Sequence, residues 1–427
     1  MIGIILGLAV LMFLAFRGWS ILWAAPIAAL IVALTNGLDL LGAYTVTYME
    51  GLVGFVLNWF PVFMLGAIFG KLMEYTGMAK SVAIWLSNKI GKKRAILAIV
   101  VSCAMLTYGG ISLFVVAFAI YPLALTLFRE AKISRKILPA TIAVGAFTFT
   151  MTALPGTPQI QNLIPMRYFN TTAMAAPVMG IIAAAIMAIL GYLYLIYRQK
   201  QLTATGEVFV EPAEEQTSAD DEKLPSVALS VLPLVFLIVT FNILNFHIIT
   251  ALAAVNVLIL VLNYKKFRGF PKAINAGASD SLIAIMNTSA AVGFGAVVQT
   301  LPAFTRLTEM LAEIPGTPLI SLAVAVNLIA GATASASGGL GIALPALGEQ
   351  YYQLAMQANI SPEALHRVAS IASGGLDLLP HNGAILTLLA VTGMTHKESY
   401  KDIAIATIVV PLIALAVVIA LATLGIY

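Results

Sequence analysis

The chain has 427 residues, of which 60% are hydrophobic and only 10% charged, with a mean hydropathy of +0.98. Soluble domains carry about 25% charged residues, so these proportions exclude an ordinary soluble fold and point to apolar helices in a bilayer. A net charge of +4 raises the question of nucleic acid, and the single Cys103 excludes an intrachain disulfide framework or a cysteine-rich metal site.

Residues 2–16 form the first apolar segment. No Lys or Arg precedes it and no convincing small-residue cleavage site follows, which argues against a removable signal peptide. Further apolar blocks fall near 19–35, 53–69, 95–128, 137–165 and 173–197, followed by an acidic, Ser- and Thr-containing stretch, 198–224, that reads as a solvated linker. The remaining blocks lie near 226–245, 248–264, 274–300, 319–354, 365–394 and 403–427. Two blocks are too long for one span and are interrupted by small residues, one at Tyr108-Gly109-Gly110 and one between Gly331 and Gly339. Basic residues flank both ends of the first, so it is expected to leave on the side it entered, as a re-entrant hairpin. The second is expected to behave similarly, although its flanks are poor in Lys and Arg and carry Glu309, Glu313 and Glu349.

Ten crossings then remain, and they place 20 of the 23 Lys and Arg residues on one side. Only Arg167, Arg306 and Arg367 fall on the other. This asymmetry predicts both termini outside and the linker in the cytoplasm, and it explains the basic residues without nucleic acid. The arrangement is all-α and integral to the membrane. Residues 1–197 and 225–427 form two halves of five spans plus one hairpin each, and because they start on opposite sides they are expected to be inverted repeats.

Each hairpin is followed by a span broken near its middle, at Leu154-Pro155-Gly156-Thr157-Pro158-Gln159 and at Leu379-Pro380-His381-Asn382-Gly383. A proline inside a helix frees a carbonyl that hydrocarbon cannot satisfy, so such breaks persist only when buried in protein or lining a wet cavity. One break alone would read as a packing kink; two at matched positions point to a transporter site at mid-membrane. Thr157 before Pro158, and Asn382, read as N-caps whose restarted helices direct amides and partial positive charge at an anion.

Asp377 alone among the acids lies well inside a span, with His381 four residues on, on the same face if the helix were unbroken. Such groups are candidates for carrying a coupled proton, or else cap broken helix ends. His247, His366 and His396 lie at span ends, where a solvated role is expected. At the hairpin tips, Thr107, Tyr108, Gly109, Gly110 and Ser112, and Thr333, Ser335, Ser337, Gly338 and Gly339, offer hydroxyls and amides to a hydroxylated anion, or small surfaces for packing. Gln299 is a candidate for substrate or for another helix, and Gly293 and Gly295 read as packing positions rather than a phosphate loop. Candidate substrate-binding residues are therefore Tyr108, Gly109, Gly110, Ser112, Pro155, Gly156, Thr157, Gln299, Ser335, Ser337, Gly338, Gly339, His381, Asn382 and Gly383; no cofactor and no metal site is expected.

The stretch Ser373 to Gly383, with Thr152-Ala153-Leu154-Pro155-Gly156-Thr157-Pro158 and Val292 to Val298, resembles the gluconate permease (GntP) family, closest to hydroxybutyrate permeases within the ion transporter superfamily. The resemblance implies inner-membrane uptake of a sugar acid or short hydroxy acid with a coupled cation, usually a proton. It also implies a dimer whose transport domain carries the tips and broken helices across the bilayer. Sodium-coupled relatives carry Ser-Asn-Thr motifs at these places and this chain has none, which favours a proton. The competing functions are cation/proton antiport, for which one buried carboxylate is little, and intramembrane hydrolysis by Ser337 with His381 as base.

Overall fold

The computed structural model describes residues 2–17, 19–212, 224–304, 306 and 317–427, and among these the chain is helical with no strand. Part of the expected linker, Glu309 and Glu313 lie outside the described residues. Helices α1 (Ile2–Phe16) and α2 (Ile21–Thr35) form an antiparallel pair. Ser20 caps α2 by accepting from the Leu22 amide. Helix α3 (Leu40–Tyr75) follows, then α4 (Met78–Ile90), α5 (Ala95–Tyr108) and α6 (Leu113–Glu130). Gly77, at φ +78, turns α3 into α4, a backbone conformation that costs glycine least. Helix α7 (Leu138–Ala146) and the single turn α8 (Phe149–Thr152) lead into the first break, and α9 (Ile160–Phe169) resumes beyond it before α10 (Pro177–Ala204).

A similar order of elements returns after the linker. Helices α11 (Val227–Ile243) and α12 (Ile248–Leu262) are again a short-linked pair, and α13 (Tyr264–Gln299) is again long. The pair α14 (Pro318–Thr333) and α15 (Ala336–Gln357) forms the second hairpin. Helix α16 (Pro362–Ser373) precedes the second break, α17 (Gly383–Thr392) resumes after it, and α18 (His396–Thr423) closes the chain.

Two helices are longer than expected from hydropathy. Helices α3 and α13 each run 36 residues, about 54 Å at 1.5 Å per residue, because their polar ends continue the helix beyond the apolar core. They pack side by side with almost no space between backbones. A Cβ on Gly277 would stand 2.7 Å from the Ile68 Cα, and one on Gly293 would stand 2.8 Å from the Tyr48 carbonyl oxygen. Gly295 is equally close to Ile342, so both glycines of the Val292–Val298 run are packing positions. Small residues at a helix interface gain van der Waals contact where lipid offers no hydrophobic drive.

The interior contains more charge than the sequence suggested. Arg367 and His366, expected at a solvated span end, are completely buried in α16. The Arg367 guanidinium donates to the carbonyls of Ala175 (2.7 and 3.1 Å) and Ala173 (3.4 Å) and to Asn162 Oδ1 (3.1 Å). His366 Nε2 lies 3.0 Å from the same Asn162 oxygen, and its Nδ1 lies 2.6 Å from the Thr171 hydroxyl. Asp402 is a second buried acid beside Asp377, held by Tyr194 Oη at 2.6 Å and Arg198 Nε at 2.8 Å. Arg367, His366 and one oxygen of Asp402 are compensated by hydrogen bonds, the condition for burying a charge, while Asp402 Oδ2 has no hydrogen-bond partner.

Candidate functional site

Both breaks expose backbone carbonyls, and side chains from other elements answer them. In the first, Tyr108 Oη donates to the Pro155 carbonyl (3.0 Å), Asn242 Nδ2 to Gly156 (2.9 Å) and Asn162 Nδ2 to Thr157 (3.0 Å). In the second, Tyr400 Oη donates to Leu378 (3.1 Å), His396 Nε2 to Pro380 (2.8 Å) and Asn382 Nδ2 to Asp377 (2.9 Å). His396 is thus engaged with the break rather than merely solvated. Irregular backbone at membrane depth persists only with this kind of satisfaction.

The restarted helices begin differently. Asn382 caps α17 as expected, its Oδ1 accepting from the amides of Ala384 (2.6 Å) and Ile385 (3.1 Å). Thr157 does not cap α9: the helix starts at Ile160 after Gln159, and the Thr157 hydroxyl donates back to the Thr150 carbonyl at 2.9 Å. With its hydroxyl turned back across the break to the Thr150 carbonyl, Thr157 does not serve the first turn, which begins two residues beyond Pro158. Gln159 then has a partner in the hairpin tip, donating to the carbonyls of Thr107 (2.7 Å) and Ile111 (3.4 Å). Asn382 does the same in the other half, donating to Ala334 at the second tip (2.9 Å). In each half one amide side chain fastens the break to the hairpin tip.

Between the tips and the breaks lies a cavity of about 590 Å³. Four helices present their first turns to it: Ser112 to Phe114 of α6, Gln159 to Gln161 of α9, Ser335 to Ser337 of α15, and Asn382 to Ala384 of α17. The starts of α6 and α9 carry no side-chain cap, which leaves their first amides open to a ligand. Four positive dipole ends therefore converge on one space. Helices α3 and α13 close the opposite wall with Phe63, Gly66 and Ala67, and with Ser281, Asn287 and Thr288. Ser337 Oγ stands 3.4 Å from both the Ser335 and Thr288 hydroxyls.

Three buried oxygens on this lining have no hydrogen-bond partner: Asp377 Oδ1, Gln161 Oε1 and Asn287 Oδ1. Buried polar atoms are almost always paired, so these three oxygens are exceptions, and each is covered by the wall rather than open to the cavity. Asp377 itself is 2% exposed. No Lys or Arg is among the lining residues, whereas Asp280 joins Asp377 there.

Of the sequence candidates, Gly110, Ser112, Ser335, Ser337, Asp377, Asn382 and Gly383 line the cavity. Tyr108, Pro155, Gly156 and Thr157 stand behind it as parts of the braced break. Gly109 and Gly339 permit close packing, since a Cβ would lie 2.6 Å from Leu234 and from Ala330 respectively, and the Gly338 amide caps back onto Ser335. His381 is buried but not part of the lining, because the chain between Gly374 and Asn382 is not helical and its four-residue spacing from Asp377 sets no common face. Gln299 sits at the end of α13 near the Ile342 carbonyl and is not part of the lining either. Gln161 and Asn287 were missed. Asn287 carried the signal used for Gln299, an amide in an apolar helix, but only tertiary packing distinguishes the two.

An all-helical chain with several helices long and apolar enough to cross a membrane, built around a cavity lined by broken helices, belongs to the class of multi-pass membrane transporters. Residues 1–264 match the GntP family permeases. The Bacillus subtilis protein called uncharacterized transporter YxjC is 42% identical, covering 96% of each chain. A protein of Haemophilus influenzae called an uncharacterized permease is 26% identical, covering 75% of this chain and 71% of that one. Among solved structures, the Alcanivorax borkumensis YdaH transporter has a similar fold, with a TM-score of 0.57 at 14% identity and 88% of each chain covered. This chain belongs to the GntP permease family.

Proposed function

We propose that the protein imports a small organic acid anion, gluconate or a short hydroxy acid such as 3-hydroxybutyrate, together with a proton. The observation that carries this is the convergence of four helix N-termini on one cavity. Their dipole ends, with the uncapped amides of α6 and α9, suit a carboxylate without a cationic side chain. Gln161 and Asn287 can each turn an amide N–H or oxygen to the substrate's hydroxyls and carboxylate, and the volume lies in the range of small-molecule sites.

Asp377 is the best candidate for the coupled proton. It lines the cavity the anion would occupy and carries a buried, unpartnered oxygen, so charge balance favours binding the proton with the anion. His381 is the second candidate. The recurring element order supports two inverted halves with re-entrant hairpins, in an elevator-type homodimer of the bacterial inner membrane. The basic residues support a cytoplasmic linker with both termini outside.

Counterflow of labelled hydroxy acids in proteoliposomes at two pH values tests the assignment. Asp377→Asn is expected to keep substrate exchange while losing uptake driven by a pH gradient; unchanged gradient-driven uptake would remove Asp377 from the coupling role. Cation/proton antiport draws support from the two lining carboxylates, Asp280 and Asp377, and predicts cation-driven proton movement with no organic acid counterflow.

A further inference from the structure

The cavity wall contains no cation, but one stands at its edge. Lys71 follows Ala67 by one helical turn on α3, and Ala67 lines the cavity. The Lys71 ammonium lies 3.4 Å from Asp280 Oδ2, and Asp280 lines the cavity from α13. The same ammonium lies 3.2 Å from Glu74 Oε2. Two carboxylates thus share one ammonium at the cavity margin. The side chains of Glu74 and Asp280 are 39% and 57% exposed, against 24% for Lys71. Ion pairs in such solvated positions are weakly held, so an arriving carboxylate can replace one of them at small cost.

We infer that Lys71 is a specificity-determining residue that meets the carboxylate of the transported anion at the cavity margin, and that Glu74 and Asp280 compete for it so that the anion is passed on rather than retained. This inference rests on the anion assignment above and adds a residue to it. The four helix ends act on an anion by partial charges within about one turn, whereas Lys71, already shared by two carboxylates, acts by direct contact rather than by long-range attraction. Lys71 therefore meets the carboxylate at the cavity margin during its passage, and the helix ends hold it in the cavity. With both acids in place, Lys71 is already neutralised and cannot hold the substrate against release. With Asp280 neutral it would bind the carboxylate more tightly and let it go more slowly.

The experiment is uptake kinetics in proteoliposomes with the full chain, using radiolabelled gluconate and 3-hydroxybutyrate at low and high salt. Counterflow by the parent protein is measured first and tests the anion assignment itself, independently of any variant. Lys71→Gln is expected to raise KM about tenfold with little change in maximal rate, as loss of one charge-assisted contact predicts, and Lys71→Arg to restore KM. Asp280→Asn is expected to lower KM and maximal rate together, with both effects fading at high salt. KM values for Lys71→Gln within twofold of the parent, or a raised KM for Asp280→Asn, would overturn the inference. If Lys71→Gln fails to fold, the direction of the Asp280→Asn change decides alone.

Discussion

Asn382 shows how one side chain can serve several levels of structure. Its two donors and its acceptor oxygen join the second hairpin tip, the preceding break and the first turn of α17. Removing a buried amide with this many partners leaves carbonyls and amides unsatisfied, so Asn382→Ala is expected to cost about 2–3 kcal/mol. Thermal unfolding in detergent would show the loss, while Gln159→Ala, whose side chain has partners only in the first tip, should lose less. The same contrast explains what could be read beforehand. Asn382 was legible as a cap because capping is local, within three residues of the helix start. Its bond to Ala334, 48 residues away, carried no local signal. Arg367 was misplaced for a similar reason: orientation statistics count charges, and only the folded chain brings carbonyls 173 and 175 around its guanidinium.

Among elements, the stretch after α10 is tied to the last turn of α6 and the loop that follows it. Arg129 binds Glu211 through two nitrogens, at 2.6 and 2.7 Å, and Lys136 pairs with Glu207. Arg135 donates to the Val210 carbonyl and, at 2.7 Å, to the carbonyl of Thr392 at the end of α17. The Arg129 guanidinium, which donates directly to the Glu211 carboxylate, holds that group below the usual carboxylate range. A depressed folded value means that the tie is fully present above the ordinary Glu value of about 4.3 and is lost as pH falls through the folded value. Protease sensitivity after residue 204 should therefore be flat between pH 6 and 8 by this mechanism and rise only on the acid side. In Arg129→Gln the sensitivity should be raised already at neutral pH. At the other interface, Gly277→Leu on α13 is expected to destabilise the protein by about 1–3 kcal/mol, the usual cost of overpacking. A lowered Tm in detergent would register it, because the Ile68 backbone cannot move aside.

For the whole molecule, the proposed topology makes an independent prediction. Cys103 is buried, so the native thiol should stay silent to a membrane-impermeant maleimide. A cysteine replacing Pro212 should be labelled only from the cytoplasmic side, and one replacing Tyr427 only from outside. Labelling of both from the same side would overturn the orientation. At this scale, most of the helical order was legible, because alternation of apolar length and polar punctuation is a property of the chain itself. The lengths of α3 and α13 were not, since hydropathy marks the most apolar stretch and not where a helix ends.

The sequence by itself determined that this chain lives in a membrane, how its apolar blocks are ordered, and that two spans break at Pro155 and Pro380. Each of those follows from transfer free energy and from the missing amide of proline, which act within a few residues. Only the tertiary structure decided where the breaks point and which polar groups meet. It placed four helix starts around one cavity, set Asp377, Gln161 and Asn287 on its wall, and left Gln299 and His381 off it. The reason is that hydrogen-bond satisfaction in a low-dielectric interior is settled among distant segments, and no local pattern records which carbonyl an amide will reach.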